Sequence, residues 1–288
     1  MLTESAVSFA DQYELDGFLI PTFQMAPDKL RTAQQLCARV IDGAANETIP
    51  NPHLPASHPA GVSGGGLEIF QTMLDPGILS ILRELIGPDI VLWSMGLFAK
   101  RSLTGGRTTW HQDANFWPIR PVESACTVWM SLDGSDVENG CVEFVSGSHR
   151  DGLQPHGHEG DTEFRSEVTL DAVRNGLVKP ATLLPGQISV HCSHVIHGAA
   201  PNRSGRPRTG LAAQFMSASA YYDRSLGPDS IAGDRGAELY KRRPIWLVSG
   251  ANRHELNDFV VGHEGLQAHD EFAEEVRSGA PTGRAFRH

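Results

Sequence analysis

Trp110-His111-Gln112-Asp113 carries residue types that can hold a divalent metal ion. In an extended strand, residues i and i+2 point to the same face. His111 and Asp113 can therefore offer an imidazole nitrogen and a carboxylate oxygen to one ion. The tripeptide pattern is common by chance, and its ordinary place is a wet strand or loop. A second stretch, from His197 through Asn202 and Ser204 to Arg208, adds a histidine before a turn and an arginine entering a new strand. Two imidazoles and one carboxylate on one side of an ion leave its remaining positions open, as in the facial triad of non-haem Fe(II) oxygenases. The planar fork of Arg208 suits a distal carboxylate through two hydrogen bonds. By ligand type alone the set also suits Mn(II), Co(II) or Zn(II), and affinity alone favours zinc.

These residues need a scaffold of strands. Ile90 to Trp93 opens a β-rich run that continues through Leu97-Phe98 to Lys100, and strands separated by turns predominate to about residue 218. Cys126 to Leu132 reads as one continuous strand, on which Thr127, Trp129 and Ser131 share a face. The bland role of Trp129 is core packing. Asn139-Gly140 is a hairpin signal, followed by a strand at Glu143-Phe144-Val145. Ile188 to His191 enters the strand that leads to His197. On such a strand His194 opposes His197, so His191 and His194 are expected to pack or support rather than ligate. Gln214 shares the parity of Arg208 and is expected to face inward.

Helices are expected over 3–15, with Thr3 as N-cap, and over Asp28 to about Ala44, where Leu30, Ala33, Leu36, Cys37, Val40 and Ile41 recur at helical spacing. Asp75-Pro76 opens a third helix, which Gly87-Pro88 ends. Residues 46–66 read as a Pro/His/Ser/Gly-rich loop with Gly64-Gly65-Gly66 as its most flexible point. Residues 150–180 read as polar loop with a helical turn at 170–173, and 264–288 as helix and then disorder. His53, His58, His156, His158, Glu159, Asp161 and Glu163 are read as loop residues outside the site.

The 288 residues carry 34 acidic against 24 basic side chains, a net charge of −10. That balance argues against a nucleic-acid binder and an anionic membrane surface. Local basic patches are compatible with that balance, for example Lys241-Arg242-Arg243. Four cysteines, without a C-x-x-C pair, do not read as a disulfide framework. With no signal-peptide pattern and no apolar run near the ~20 residues that span a bilayer, a cytoplasmic enzyme is expected.

In order along the chain, several stretches resemble one family. They are Asp16-Gly17-Phe18-Leu19-Ile20, Leu82 to Pro88, Lys100, Trp110-His111-Gln112-Asp113, Thr127-Val128-Trp129, Glu138-Asn139-Gly140-Cys141, Gly147-Ser148-His149, and His197 through Arg208. The ordered set resembles the phytanoyl-CoA dioxygenase family of Fe(II)/2-oxoglutarate oxygenases. Ser146 departs from it, standing where the family usually has proline. The resemblance implies a mainly β fold with bracing helices around a double-stranded β-helix core of jelly-roll or cupin type. A single domain is expected, with a helical brace over about 1–90, the core over about 90–220 and an extension over 221–288. His111, Asp113 and His197 would be the iron ligands, and Arg208 would hold the far carboxylate of 2-oxoglutarate. Lys100 and Trp129 would lie near that co-substrate, as would Thr127 on the face of Trp129. With O2, the implied reaction hydroxylates an unactivated C–H of a small, polar substrate and releases succinate and CO2. Related halogenases lack the carboxylate that Asp113 provides, which favours hydroxylation. A metal-dependent cupin without the keto acid, or a non-catalytic jelly-roll binder, are the alternatives. Substrate identity and oligomeric state are left open.

Overall fold

The computed structural model describes residues 8–43, 49–54, 61–62, 64–157, 167–225 and 240–263. Its strands are β1 (Phe18–Leu19), β2 (Ile90–Lys100), β3 (Thr108–His111), β4 (Ile119–Arg120), β5 (Ala125–Ser131), β6 (Val142–Ser146), β7 (His156–Gly157), β8 (Glu167–Val168), β9 (Leu177–Pro180), β10 (Ile188–Cys192), β11 (His197–Ala199), β12 (Arg208–Ser217), β13 (Tyr221–Tyr222) and β14 (Trp246–Ser249). The helices are α1 (Phe9–Asp16), α2 (Pro27–Gly43), α3 (Gly66–Thr72), α4 (Pro76–Ile86) and α5 (Leu170–Arg174).

Six strands pair in the order β1-β10-β5-β12-β2-β14, and four in the order β3-β11-β6-β9. Phe18, Trp129, Phe144 and Ala212 fill the space between these two sheets. This is a mainly β, double-sheet jelly-roll architecture. Alternation along β12 explains why both faces of the larger sheet are covered. Leu211, Ala213 and Phe215 point outward and join Leu92, Met130, Val190 and Trp246 under α2, α3 and α4. Arg208, Gly210, Ala212 and Gln214 have the opposite parity and face the other sheet. The helices bury Ile69, Phe70, Ile78 and Leu82 against the outer face, and each such side chain contributes about 1.5–3 kcal/mol.

The fold corrects several expectations. Helix α1 starts at Phe9, with the Ser8 hydroxyl accepting from Asp11 N (3.0 Å). Gly66 does not end a loop; it begins α3, after Gly65 turns the chain at φ 79°. Asn139-Gly140 closes no hairpin, because β5 and β6 belong to different sheets. Asn139 instead locks the crossover, accepting from Asp136 N and donating to Gly134 O. The larger sheet also takes edge strands from beyond 90–220, namely β1 and β14. Ser146 donates its hydroxyl to Asp16, which Lys179 also holds at 2.9 Å, so the end of α1 is tied to β6 and β9. The expectations for Thr3, His58, His158, Glu159, Asp161, Glu163 and 264–288 fall outside the described residues. Among the described residues, no helix is long and apolar enough to cross a membrane.

Candidate metal centre

His111 ends β3 and His197 begins β11, and the two are direct partners in the antiparallel pairing of those strands. Their rings lie 4.2 Å apart. His111 Nδ1 is 2.7 Å from Thr109 O, and His197 Nδ1 is 3.1 Å from Val195 O. A carbonyl oxygen can only accept, so each Nδ1 carries the proton and each Nε2 keeps its lone pair. Backbone carbonyls thus set the tautomer that a metal ligand needs.

Asp113 lies just past the strand and opens a short 3-10 turn, Asp113–Asn115, so strand alternation places only His111. Its Oδ1 is 3.7 Å from His111 Nε2 and 3.9 Å from His197 Nε2. Two atoms on one ion at about 2.0–2.2 Å can stand at most about 4.4 Å apart. Both carboxylate–imidazole separations fall within that limit, and the ligand atoms of His111, Asp113 and His197 lie within 4.8 Å of one another, a cluster that could hold one ion. Burial pushes the Asp113 carboxyl up, but His197, His111 and His191 outweigh it and hold it well below the usual carboxylate range. Burial, with His111 and His191 beside it, holds His197 well below the usual histidine range. A carboxylate and a neutral imidazole are the forms that bind metal.

The other oxygen of Asp113 is held from behind. Thr127 Oγ1 donates to Oδ2 at 2.8 Å, and His191 Nε2 stands 3.4 Å from the same atom. Thr127 and His191 are cross-strand partners on β5 and β10. Thr127, expected beside the co-substrate, has its hydroxyl on this carboxylate. The sequence predicts one strand running from His191 to His197. The chain in fact leaves the larger sheet after Cys192 and enters the smaller one at His197. His194 points elsewhere, 3.9 Å from Glu123. Gln112, fully buried, donates to Gly152 O and His194 O and accepts from Gln154 N, tying the surrounding loops together. The roles of Thr127, His191 and Gln112 arise from register between distant strands, for which the chain carries no local signal.

Arg208 is 3 % exposed and faces Lys100 across the β12–β2 pair. Its guanidinium lies over the Trp129 ring, 5.1 Å from the centroid. Gly210 leaves room for that indole, since a Cβ there would run into the Trp129 ring. Lys100 donates to Ala199 O (3.0 Å) and to Ala200 O, so its ammonium braces the segment after His197. His156 Nε2 accepts from Gln112 N at 3.2 Å, and its ring meets Phe116 edge-on. His53 is buried beside Arg243.

The chain has relatives among known proteins. The sequence profile of the phytanoyl-CoA dioxygenase family matches residues 13–210. The peroxisomal phytanoyl-CoA dioxygenase of Bos taurus is 27% identical over 161 residues, covering 54% of this chain and 48% of that protein. The chain thus matches about half the length of that curated relative. Among solved structures, the apo form of the non-heme monooxygenase ThoJ superposes with a TM-score of 0.64 at 23% identity, covering 94% of this chain and 96% of that one. The epimerase SnoN, in complex with Fe3+, alpha-ketoglutarate and nogalamycin RO, gives a TM-score of 0.58 at 22% identity, over 74% and 84% of the two chains. At these identities the structural likenesses show the fold alone.

Proposed function

The chain belongs to the phytanoyl-CoA dioxygenase family, and from that premise we propose that it is an Fe(II)- and 2-oxoglutarate-dependent oxygenase that hydroxylates an unactivated C–H of a small molecule, releasing succinate and CO2. The observation that carries the reading is the pairing of a two-histidine, one-carboxylate cluster with a buried arginine on the inner face of the same double sheet. Fe(II), when bound, supplies the activation of O2 and the oxidative cleavage of the keto acid. His111, Asp113 and His197 hold the ion. Arg208, beside the Trp129 ring, pairs with the far carboxylate of 2-oxoglutarate. Thr127 keeps Asp113 turned so that one oxygen serves the ion and the other stays bound to protein. The buried walls of the barrel exclude water from the reacting atoms. We read residues 1–288 as one catalytic domain, because strands from both ends complete the larger sheet.

SnoN is an epimerase on the same fold. Which product follows C–H cleavage therefore rests on how the substrate is held, and Asp113 supports hydroxylation over halogenation. A cupin that uses no keto acid has no use for Arg208. The test is anaerobic titration of the apo-protein with Fe(II) and 2-oxoglutarate, watching the weak visible charge-transfer band of their chelate. The band is expected in the wild type and lost in Arg208→Ala and His197→Ala. Iron binding without the band removes the keto acid from the reading.

A further inference from the structure

The basic run Lys241-Arg242-Arg243 is split by the fold. Lys241 and Arg242 are exposed, while Arg243 is 8 % exposed. Its Nη1 donates to Ser94 Oγ at 2.7 Å and to His53 Nε2 at 3.3 Å. Arginine has no lone pair, so His53 accepts there as a neutral imidazole. The Tyr240 ring lies 5.0 Å from the guanidinium carbon. Among the described residues no carboxylate pairs with Arg243, and its Nε has no hydrogen-bond partner. More exposed arginines do have carboxylates, as Arg107 with Glu167 at 2.7 Å and Arg253 with Asp89 at 2.8 Å. A buried guanidinium without an anion is costly. In the aromatic cluster that Tyr240 joins, Trp93 Nε1 is a second buried donor without a partner.

The location links this cation to the metal centre. Ser94 is in register with Gln214, and Gln214 with Thr127, whose hydroxyl holds Asp113. The row crosses two strand spacings, about 10 Å, on the inner face of the larger sheet. Ser94 and Gln214 are half-buried although β2 and β12 are inner strands, so this part of the inner face opens to solvent. Arg208 lies about 20 Å back along β12 from Gln214. Ser94 and Arg208 therefore stand at different levels of that face, and the Thr127 hydroxyl on Asp113 lies in the row of Ser94.

We propose that Arg243 binds a carboxylate of the substrate itself, so that the oxidised compound is a small organic acid held by its own anion while 2-oxoglutarate takes Arg208. The inference rests on the oxygenase reading above. A planar fork fits a two-oxygen anion, and Ser94 and His53 hold Nη1 in place for it. Trp93 and Trp117, edge-on at 5.3 Å, wall the same region and suit an apolar body.

The test uses the full chain, anaerobic, with Fe(II) and saturating 2-oxoglutarate. The probes are L-amino acids and small aliphatic and aromatic monocarboxylic acids, each beside its primary amide. Binding is screened by thermal shift and measured by calorimetry. At least one acid is expected to bind about 30-fold or more tightly than its amide. Arg243→Gln brings that ratio near one, and Arg243→Lys keeps part of it. Ser94→Ala, a smaller change, lowers acid affinity several-fold without lowering that of the amide. The proposal is overturned if no acid binds, if acid and amide bind alike, or if the acid preference survives in Arg243→Gln. Absence of the charge-transfer band in the wild type would sink the 2-oxoglutarate reading, while the acid-to-amide ratio is still read, so the two failures are separable.

Discussion

Replacing Thr127 by valine removes one hydrogen bond and almost no volume. The bond runs from Oγ1 to Asp113 Oδ2 at 2.8 Å, and Thr127 is 3 % exposed. Without it, the charged oxygen keeps His191 Nε2 at 3.4 Å as its neighbour, beyond a good hydrogen-bond length. A hydrogen bond to a charged group contributes about 1.5–3 kcal/mol, and His191 can recover part of that by a small shift. The net loss should be about 1.5–2 kcal/mol, which is about 10–30-fold in metal affinity. That range matches the usual cost of removing a group that orients a metal ligand. The assay is calorimetric or competitive titration of Fe(II), under anaerobic conditions, into wild type, Thr127→Val, His191→Phe and the double variant. Each single variant should weaken binding, and the double should weaken it by more than the sum, because each group can take up part of the other's hold on the one oxygen. Thr127→Val binding metal within twofold of wild type, with the fold intact by circular dichroism, would refute the idea that this hydroxyl holds Asp113 for the ion.

Three further outcomes are expected of the same fold and site. Gly210→Ala places a methyl group into the Trp129 ring, so it should cost about 1–3 kcal/mol by urea unfolding and weaken 2-oxoglutarate binding through the displaced indole. For Asp16, burial pushes the carboxyl up, but Ser146 and Lys179 reverse this and hold it below its ordinary value. The lowered folded-state pKa means that its stabilisation is full above the unfolded value, about 3.9, and is lost as pH falls through the folded one. The wild type should therefore lose more stability than Asp16→Asn between about pH 5 and pH 2, read from urea midpoints across that range. Metal at a hundred times its Kd should stabilise the wild type by about 2.7 kcal/mol, reversed by a chelator and absent in His197→Ala, as seen in melting temperature.

Local signals carried much of this protein into view. Helix α4 begins where Asp75-Pro76 reads as a cap and ends where Gly87-Pro88 breaks it. Strand β5 runs one residue earlier at each end than its apolar run suggested, with Thr127 and Trp129 on the face that alternation assigns them. Cap chemistry and period-two burial act over a few residues, so a linear chain displays them. The failures share the opposite cause. Asn139-Gly140 has hairpin chemistry, but which sheet receives β6 depends on the whole barrel. The histidines at 191, 194 and 197 look like a periodic set on one strand, yet the chain changes sheets between the first and the last.

The amino-acid sequence alone determined the ligand types, their order and the family, because those reside in residue identity and spacing. Only the tertiary structure decided which atoms meet. The proton on each histidine's Nδ1 depends on carbonyls two residues back that the strand ends bring into reach. The grip on Asp113 depends on the pairing of β5 with β10, sequences some sixty residues apart. Lys241-Arg242-Arg243 reads as a solvated patch, and packing turned one of its three cations inward beside Ser94. Burial and cross-strand register are sums over distant segments, and no window of sequence contains them.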